Sequence, residues 1–346
     1  MARNYSIALL LALFFLTSCE DNKPTQVHVI QGNALGTTYT IKYYGNEDAE
    51  RINANIDIIL TSINNSMSTW QDDSIISKLN DGRKEIEVDQ PFVDNLELSQ
   101  KINHRTDGYF DPTVAILVDA YGIHDKDGMR ELDRVVVDTL MQYVGLNKIT
   151  YDKGKVIKGF PEMVLDFNAI AKGYTLDEIA GLLDRSGYND YLIELGGEIV
   201  AKGTNLDNNA PWKVGVEAPE ATAQRSVVTA VALEDKAMAT SGNYRKNKRD
   251  ENGKIVMGHI VNPKTGSATP GTVITASVLG PDCATADAYA TAFMVMPLEL
   301  TQGLVEQDPD LSAYLIYIEN GETKTYISPG FQEAMDAATL VSALEE

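Results

Sequence analysis

Between residues 27 and 327 the hydrophobic pattern keeps switching period, which limits the chain to folds where strands and helices share one core. Residues 27–30 and 37–43 alternate around a Gly32–Gly36 turn and predict two strands. Ile52, Ile56, Ile59 and Ile63 then recur at helical spacing, which predicts an amphipathic helix over 48–65. Asp89-Gln90-Pro91 is a helix-start signal for a second helix running to about His104. Further on, strands expected at 164–167, 191–195, 212–216, 227–233 and 272–279 are interleaved with helices at 175–183 and 284–296, and 314–318 with 323–327 reads as a terminal hairpin. This order is neither a βαβ alternation nor an all-β array, and it predicts an α+β fold of mixed sheets with helices. The charged stretch 125–138 reads as a surface insertion.

The first residues read as an address. Arg3 supplies a positive start and residues 7–16 an unbroken apolar run, too short to span a bilayer comfortably but suited to a signal peptide. The run ends in Leu16-Thr17-Ser18-Cys19, a pattern that resembles a bacterial lipobox. The expectation is a signal peptide over 1–18, acylation of Cys19, a polar tether over 19–26 and a catalytic domain over 27–340. The protein would then sit in the cell envelope, lipid-anchored to a bacterial membrane and facing the periplasm. With Cys19 lipidated, Cys283 has no partner for a disulfide within the chain, so the fold must stand on its core. The formal net charge of −21 argues against nucleic acid as a partner. An acidic chain can hold an anion only by concentrating positive charge locally, through a metal, a few lysines or helix N-termini.

Several segments place such chemistry together. Val164-Leu165-Asp166-Phe167-Asn168-Ala169-Ile170-Ala171-Lys172-Gly173-Tyr174 runs from an apolar stretch through a carboxylate and a small-residue turn into a helix. That gathers free amides, the helix dipole and the Lys172 ammonium around one point suited to an anion, although ordinary strand–helix turns look similar. Asp287 and Thr291 stand at i and i+4 of a predicted helix, a carboxylate and a hydroxyl suited to Mg²⁺; a dipole-favoured acid and a back-bonded threonine would read the same way. His259, in Gly258-His259-Ile260-Val261-Asn262-Pro263-Lys264-Thr265-Gly266, is a candidate general base on a short strand entering a turn. Trp70 and the aromatic pair Tyr109-Phe110 could stack on a flat heterocycle or simply fill core. Leu195-Gly196-Gly197-Glu198 suits close backbone approach or a hairpin turn equally, and His104 and His124 look incidental.

Taken in order, these segments resemble the FAD:protein FMN transferases, the ApbE family. The resemblance starts near Leu35-Gly36-Thr37-Thr38-Tyr39 and runs through Ser66-Met67-Ser68-Thr69-Trp70, Asp107-Gly108-Tyr109-Phe110-Asp111-Pro112-Thr113 and the Asp166–Gly173 loop. It continues through Glu194-Leu195-Gly196-Gly197-Glu198, Ala239-Thr240-Ser241-Gly242-Asn243-Tyr244-Arg245, the His259–Gly266 segment and Ala286-Asp287-Ala288-Tyr289-Ala290-Thr291. Gly258 and Asn262 depart from the polar residue and the aspartate frequent there in the family, and 125–138 has no assigned counterpart.

The resemblance implies two intimately joined halves with FAD between them. Leu35, Trp70, Tyr109, Phe110 and Asp111 would hold the nucleotide, together with Asp166 and Lys172. Mg²⁺ would take the Ala169 carbonyl with Asp287 and Thr291, and His259 and its strand, Val261 included, would border the pyrophosphate. His259 and Asp287 are the catalytic candidates, with the base open between His259 and a carboxylate. The implied reaction cleaves FAD, attaches FMN through a phosphoester to a Ser/Thr hydroxyl of an acceptor flavoprotein, such as a membrane redox-complex subunit, and releases AMP. A Mg²⁺-dependent FAD pyrophosphatase and a non-enzymatic flavin-binding lipoprotein are the alternatives.

Overall fold

A two-residue connection starts the architecture. β1 (Gln26–Ala34) and β2 (Thr37–Gly45) pair antiparallel, with Ile30 opposite Ile41. Leu35 and Gly36 between them both have positive φ, 49° and 76°, the handedness that matches the twist of a tight hairpin. The computed structural model describes residues 26–45, 49–125, 128–217, 227–243, 247–249, 251 and 255–345. The expected signal peptide and Cys19 therefore lie outside the described residues, as do Tyr244 and Arg245.

Helix α1 (Ala49–Met67) buries Ile52, Ile56, Leu60 and Ile63; Ile59, expected on that face, is half-buried at its margin. After α2 (Ile75–Asn80) and β3 (Glu85–Glu87) comes α3 (Gln90–Arg105), where Asp89 caps the Phe92 amide and Pro91 sits in the first turn. Short helices α4 (Ala115–Ala120) and α5 (Arg134–Leu140) precede the β4 (Ile149–Asp152) and β5 (Lys155–Lys158) hairpin. Helix α6 (Ala171–Arg185) follows, then strands β6 (Tyr191–Leu195), β7 (Glu198–Lys202), β8 (Trp212–Glu217), β9 (Val227–Leu233) and β10 (Lys236–Gly242). The small β11 (Asn247–Arg249) and β12 (Ile255–Gly258) pair leads to β13 (Val273–Gly280), α7 (Cys283–Phe293) and α8 (Leu298–Gln307). β14 (Ser312–Glu319), β15 (Glu322–Ile327) and α9 (Pro329–Glu345) complete the described chain.

The result is α+β, as the switching periods predict. Eight strands form one antiparallel sheet in the order β1-β2-β6-β7-β10-β13-β14-β15. Ile41, Tyr43 and Ile193 of the sheet meet α1 and α6 through Ile56 and Ile179. Trp212, Val214 and Leu233 of the β8–β9 hairpin and Phe331 of α9 pack with sheet residues Ile199 and Tyr314. A third cluster joins Phe92, Phe167, Tyr289 and Phe293, and Leu35 and Ile59 pack against both this cluster and the α1–α6 one, bridging the two.

Three expectations need correction. Residues 164–167 belong to no ladder: the Leu165 amide and carbonyl bond to the Asn80 side chain at 2.9 and 2.7 Å, and the Asp166 amide donates to Pro112 O at 3.1 Å. The 314–327 hairpin is not terminal, because α9 follows and packs against it. The 125–138 stretch is only partly a surface insertion: α5 begins inside it, and Val137 is buried beside Met257, Val261 and Ala268. This links the stretch to the segment carrying His259.

Lys158 explains how the irregular segment is held. Its side chain is fully buried and its ammonium donates to Leu79 O, Pro161 O and Met163 O, each at 2.8 Å. Three carbonyls give a buried cation the acceptors it needs. In return it ties residues 161–163 to α2, just before Asp166.

Candidate active site

A cleft of about 740 Å³ opens where the ends of the main-sheet strands meet the loops around residues 109–118 and 166–172. Two turns shape its wall. Leu35 lines it from the β1–β2 connection, and a branched side chain held at φ 49° is strained, a cost that concentrates at functional sites. Beside it, Gly196 and Gly197 connect β6 to β7 with φ of 65° and 115°; a Cβ on Gly196 would stand 2.7 Å from Thr37 Cγ2. The Gly196 amide donates to Thr38 O at 3.1 Å and the Gly197 amide to Glu194 Oε1 at 2.8 Å, so both halves of the Gly-Gly turn are bonded in place.

The charged centre lies where α6 and α7 cross. Lys172, in the first turn of α6, is ion-paired with Glu198 of β7 and stands 3.6 Å from Asp287 Oδ1. Burial pushes the Asp287 carboxyl up to about 6, with Lys172 opposing the rise. Burial also works against the Lys172 ammonium, but Asp287 and Glu198 outweigh it and hold its pKa well above the ordinary lysine value. The Gly173 amide, an orphan donor in the first turn of α6, donates to Asp287 Oδ2 at 3.2 Å. One turn beyond Asp287, the Thr291 hydroxyl lies 3.2 Å from the Ser241 hydroxyl of β10. Asp177 fixes the start of α7, its carboxylate taking the Cys283 and Ala284 amides at 2.8 Å each. Those are orphan donors of a helix N-terminus, so one α6 residue sets where the whole of α7 sits.

Gly173 is required for that crossing. A Cβ there would overlap the Cys283 carbonyl oxygen and stand 2.6 Å from Ala284 Cα, and backbone cannot swing aside as a side chain can. Gly173→Ala is therefore expected to force α6 and α7 apart and to lower stability by about 1–3 kcal/mol, as overpacking does. Urea denaturation checks this, and a variant as stable as the parent would show that the two helices are not locked together.

The remaining predicted residues divide. Tyr109, Phe110, Asp111, Ala169, His259 and Val261 line the same cleft as Leu35, Asp166, Lys172, Asp287 and Thr291. Phe110 is nearly all core, 3% exposed. The Asp111 carboxylate braces its own loop, accepting from the Thr113 amide and hydroxyl (2.9 and 2.6 Å), the Leu146 amide (3.0 Å) and Asn103 Nδ2 (3.3 Å). Asp166 accepts from the amide and side chain of Asn168, and burial raises its pKa. Trp70 is not brought into the lining: it is 73% exposed and meets His124 edge-on at 6.1 Å. His124, set aside in the sequence reading, does line the cleft, and His259 stands just past the end of β12. Glu198, Ser241 and Asp177 were also missed as functional residues. The only sequence signal for Glu198 was its place after two glycines.

Comparisons with known proteins agree on one family. The ApbE family model matches residues 35–315. A Vibrio cholerae protein named FAD:protein FMN transferase is 32% identical over 95% of this chain and 98% of its own length. One of the same name from Haemophilus influenzae is also 32% identical, over 94% of this chain and 96% of its own. Among solved structures, the flavin transferase ApbE from Vibrio cholerae superposes with a TM-score of 0.78 at 29% identity, covering 90% of this chain and all of that one.

Proposed function

Because the chain belongs to the ApbE family, we propose that it transfers FMN from FAD to a hydroxyl of an acceptor protein, with release of AMP. The observation that carries this reading is the floor of the cleft. There Asp287, Thr291, Ala169 and Lys172 converge in a concave site whose volume falls within the ~300–1,000 Å³ usual for ligand pockets.

The donor set fits a magnesium ion. Asp287 offers a buried carboxylate, Thr291 a hydroxyl one helical turn away, and Ala169, which lines the cleft just before α6, a backbone carbonyl. All three are hard oxygen donors, and so few protein ligands leave room for water and phosphate oxygens, the pattern Mg²⁺ prefers. Bound there, the ion supplies charge neutralisation and Lewis-acid polarisation at the pyrophosphate. Lys172 adds a second positive group, the Gly-Gly turn and Leu35 shape the wall, and the loop braced by Asp111 presents Tyr109 for the nucleotide. In the reaction the acceptor oxygen bonds to the FMN phosphorus, the phosphoanhydride bond to AMP breaks, and the hydroxyl proton passes to His259 at the cleft wall. Imidazole suits that role because it can take a proton near neutral pH.

The reading is tested with FAD, Mg²⁺ and an acceptor flavoprotein, following AMP and acceptor-bound flavin together. Equal amounts of both are expected, and acceptor Ser/Thr→Ala should abolish both the labelling and the acceptor-dependent AMP. AMP without labelling across a broad panel of flavoprotein acceptors would favour FAD hydrolysis instead.

A pH dependence follows from Asp287. Its carboxyl must be ionised to bind a metal, and in the metal-free protein burial holds it up to about 6, so protons compete with the ion as pH falls through that value. Apparent Mg²⁺ affinity, measured by calorimetry, should fall about tenfold between about pH 7.5 and about pH 5. Unchanged affinity would remove Asp287 from the metal site.

A further inference from the structure

We propose that Glu198 makes FAD binding conditional on the metal, by holding the Lys172 ammonium that would otherwise meet the pyrophosphate; the inference rests on the flavin-transfer reading above. The cleft is poorly furnished for an anion. Its lining carries six carboxyl side chains and, among the described residues, one lysine and no arginine. That lysine is already engaged: Glu198 ion-pairs with it, and Asp287 Oδ1 stands 3.6 Å away. Two carboxylates around one ammonium leave this point net negative without a metal, so a pyrophosphate approaching it is repelled. A divalent cation on Asp287 reverses the local sign and takes up the carboxylate that competes for Lys172.

Glu198 is built to stay where it is. It follows the Gly196-Gly197 turn, whose positive φ values and two amide hydrogen bonds fix the start of β7. Its side chain is only 4% exposed. Among the described residues its Oε2 is buried with no hydrogen-bond partner. A carboxylate buried with one oxygen unsatisfied is a poor brace for a fold, since a neutral side chain there would avoid the desolvation cost. Its charge acts first on the ammonium it is ion-paired with, Lys172.

The test measures FAD dissociation constants by flavin fluorescence for the wild-type protein and for Glu198→Gln, each in chelator and in saturating Mg²⁺. Glutamine keeps the size and an acceptor for Lys172 but removes the charge. Metal-free FAD binding should tighten by about tenfold or more in Glu198→Gln, the scale of a hydrogen bond to a charged group, and the Mg²⁺ advantage should shrink accordingly. Lys172→Gln carries the same test if Glu198→Gln does not fold: its loss of FAD affinity should be larger in Mg²⁺ than in chelator. A ratio of Mg²⁺ to chelator affinity that Glu198→Gln leaves unchanged, or an equal loss in both media for Lys172→Gln, overturns the proposal alone. A wild-type protein that binds no FAD even in saturating Mg²⁺ overturns the flavin reading, and this inference with it.

Discussion

Asp287→Ala should abolish FMN transfer, a loss of more than ~10³-fold, and excess Mg²⁺ should rescue it poorly. Asp287 is the only charged donor in the proposed metal set, it is buried, and it sits where α6 and α7 cross. Removing it deletes the ligand and frees Lys172 to bond with Glu198 alone. The loss should exceed that of Thr291→Ala, because a carboxylate outweighs a neutral hydroxyl as a ligand for a divalent ion. Stability should move in another direction. Burial holds the carboxyl up to about 6, above its ordinary value, so ionising it at neutral pH opposes folding; the sign is that of a group whose stabilising contribution is complete at low pH and is lost as pH rises through about 6. Deleting the group therefore removes a cost along with the Gly173 hydrogen bond, and the variant should stay folded. Asp287→Asn, which keeps the shape and an acceptor for Gly173, should be as inactive as alanine. An asparagine variant within about tenfold of the parent would show that neutral geometry suffices and that no ion is held there.

Lys158→Met should be the most destabilising single change in the site's support, by about 3–5 kcal/mol. Methionine has a similar length and packs well, so the loss would come from the three carbonyls of Leu79, Pro161 and Met163, left buried without their donor. Burial pulls the Lys158 pKa down to about 8, which still leaves it an ammonium at neutral pH. Lys158→Arg should not rescue the variant, because a planar guanidinium cannot point at three acceptors converging on one atom. FAD affinity should fall with stability, since the segment leading to Asp166 loses its tie to α2. Urea denaturation gives the result, and a Lys158→Met protein within about 1 kcal/mol of the parent would mean that water or backbone movement satisfies the carbonyls.

What could be read from the chain was whatever repeats locally. Asp89 before Gln90-Pro91 states a helix start, Ile52-Ile56-Ile63 states a buried helix face, and Asp287 with Thr291 states two oxygens on one face, because spacing along a helix is spacing in space. Pairings across the chain left no such mark. Lys172 and Glu198 are 26 residues apart on different elements, and Lys158 reaches back 79 residues to Leu79. The segment 164–167 looks like a strand because buried Leu165 and Phe167 alternate with half-buried Val164 and Asp166, yet its hydrogen bonds go to Asn80 and Pro112. Trp70 carried the right chemistry for stacking, but only the fold shows that it stands outside the cleft lining, against His124.

The central claim is that this cleft moves FMN onto another protein. Its most direct test is the mass of an acceptor flavoprotein after incubation with FAD, Mg²⁺ and this enzyme, taken after denaturation so that only covalent flavin remains. The account predicts a gain of one FMN on a single serine or threonine peptide, absent when Asp287→Asn replaces the enzyme. Acceptors that keep their unmodified mass while FAD is converted to FMN and AMP would contradict it.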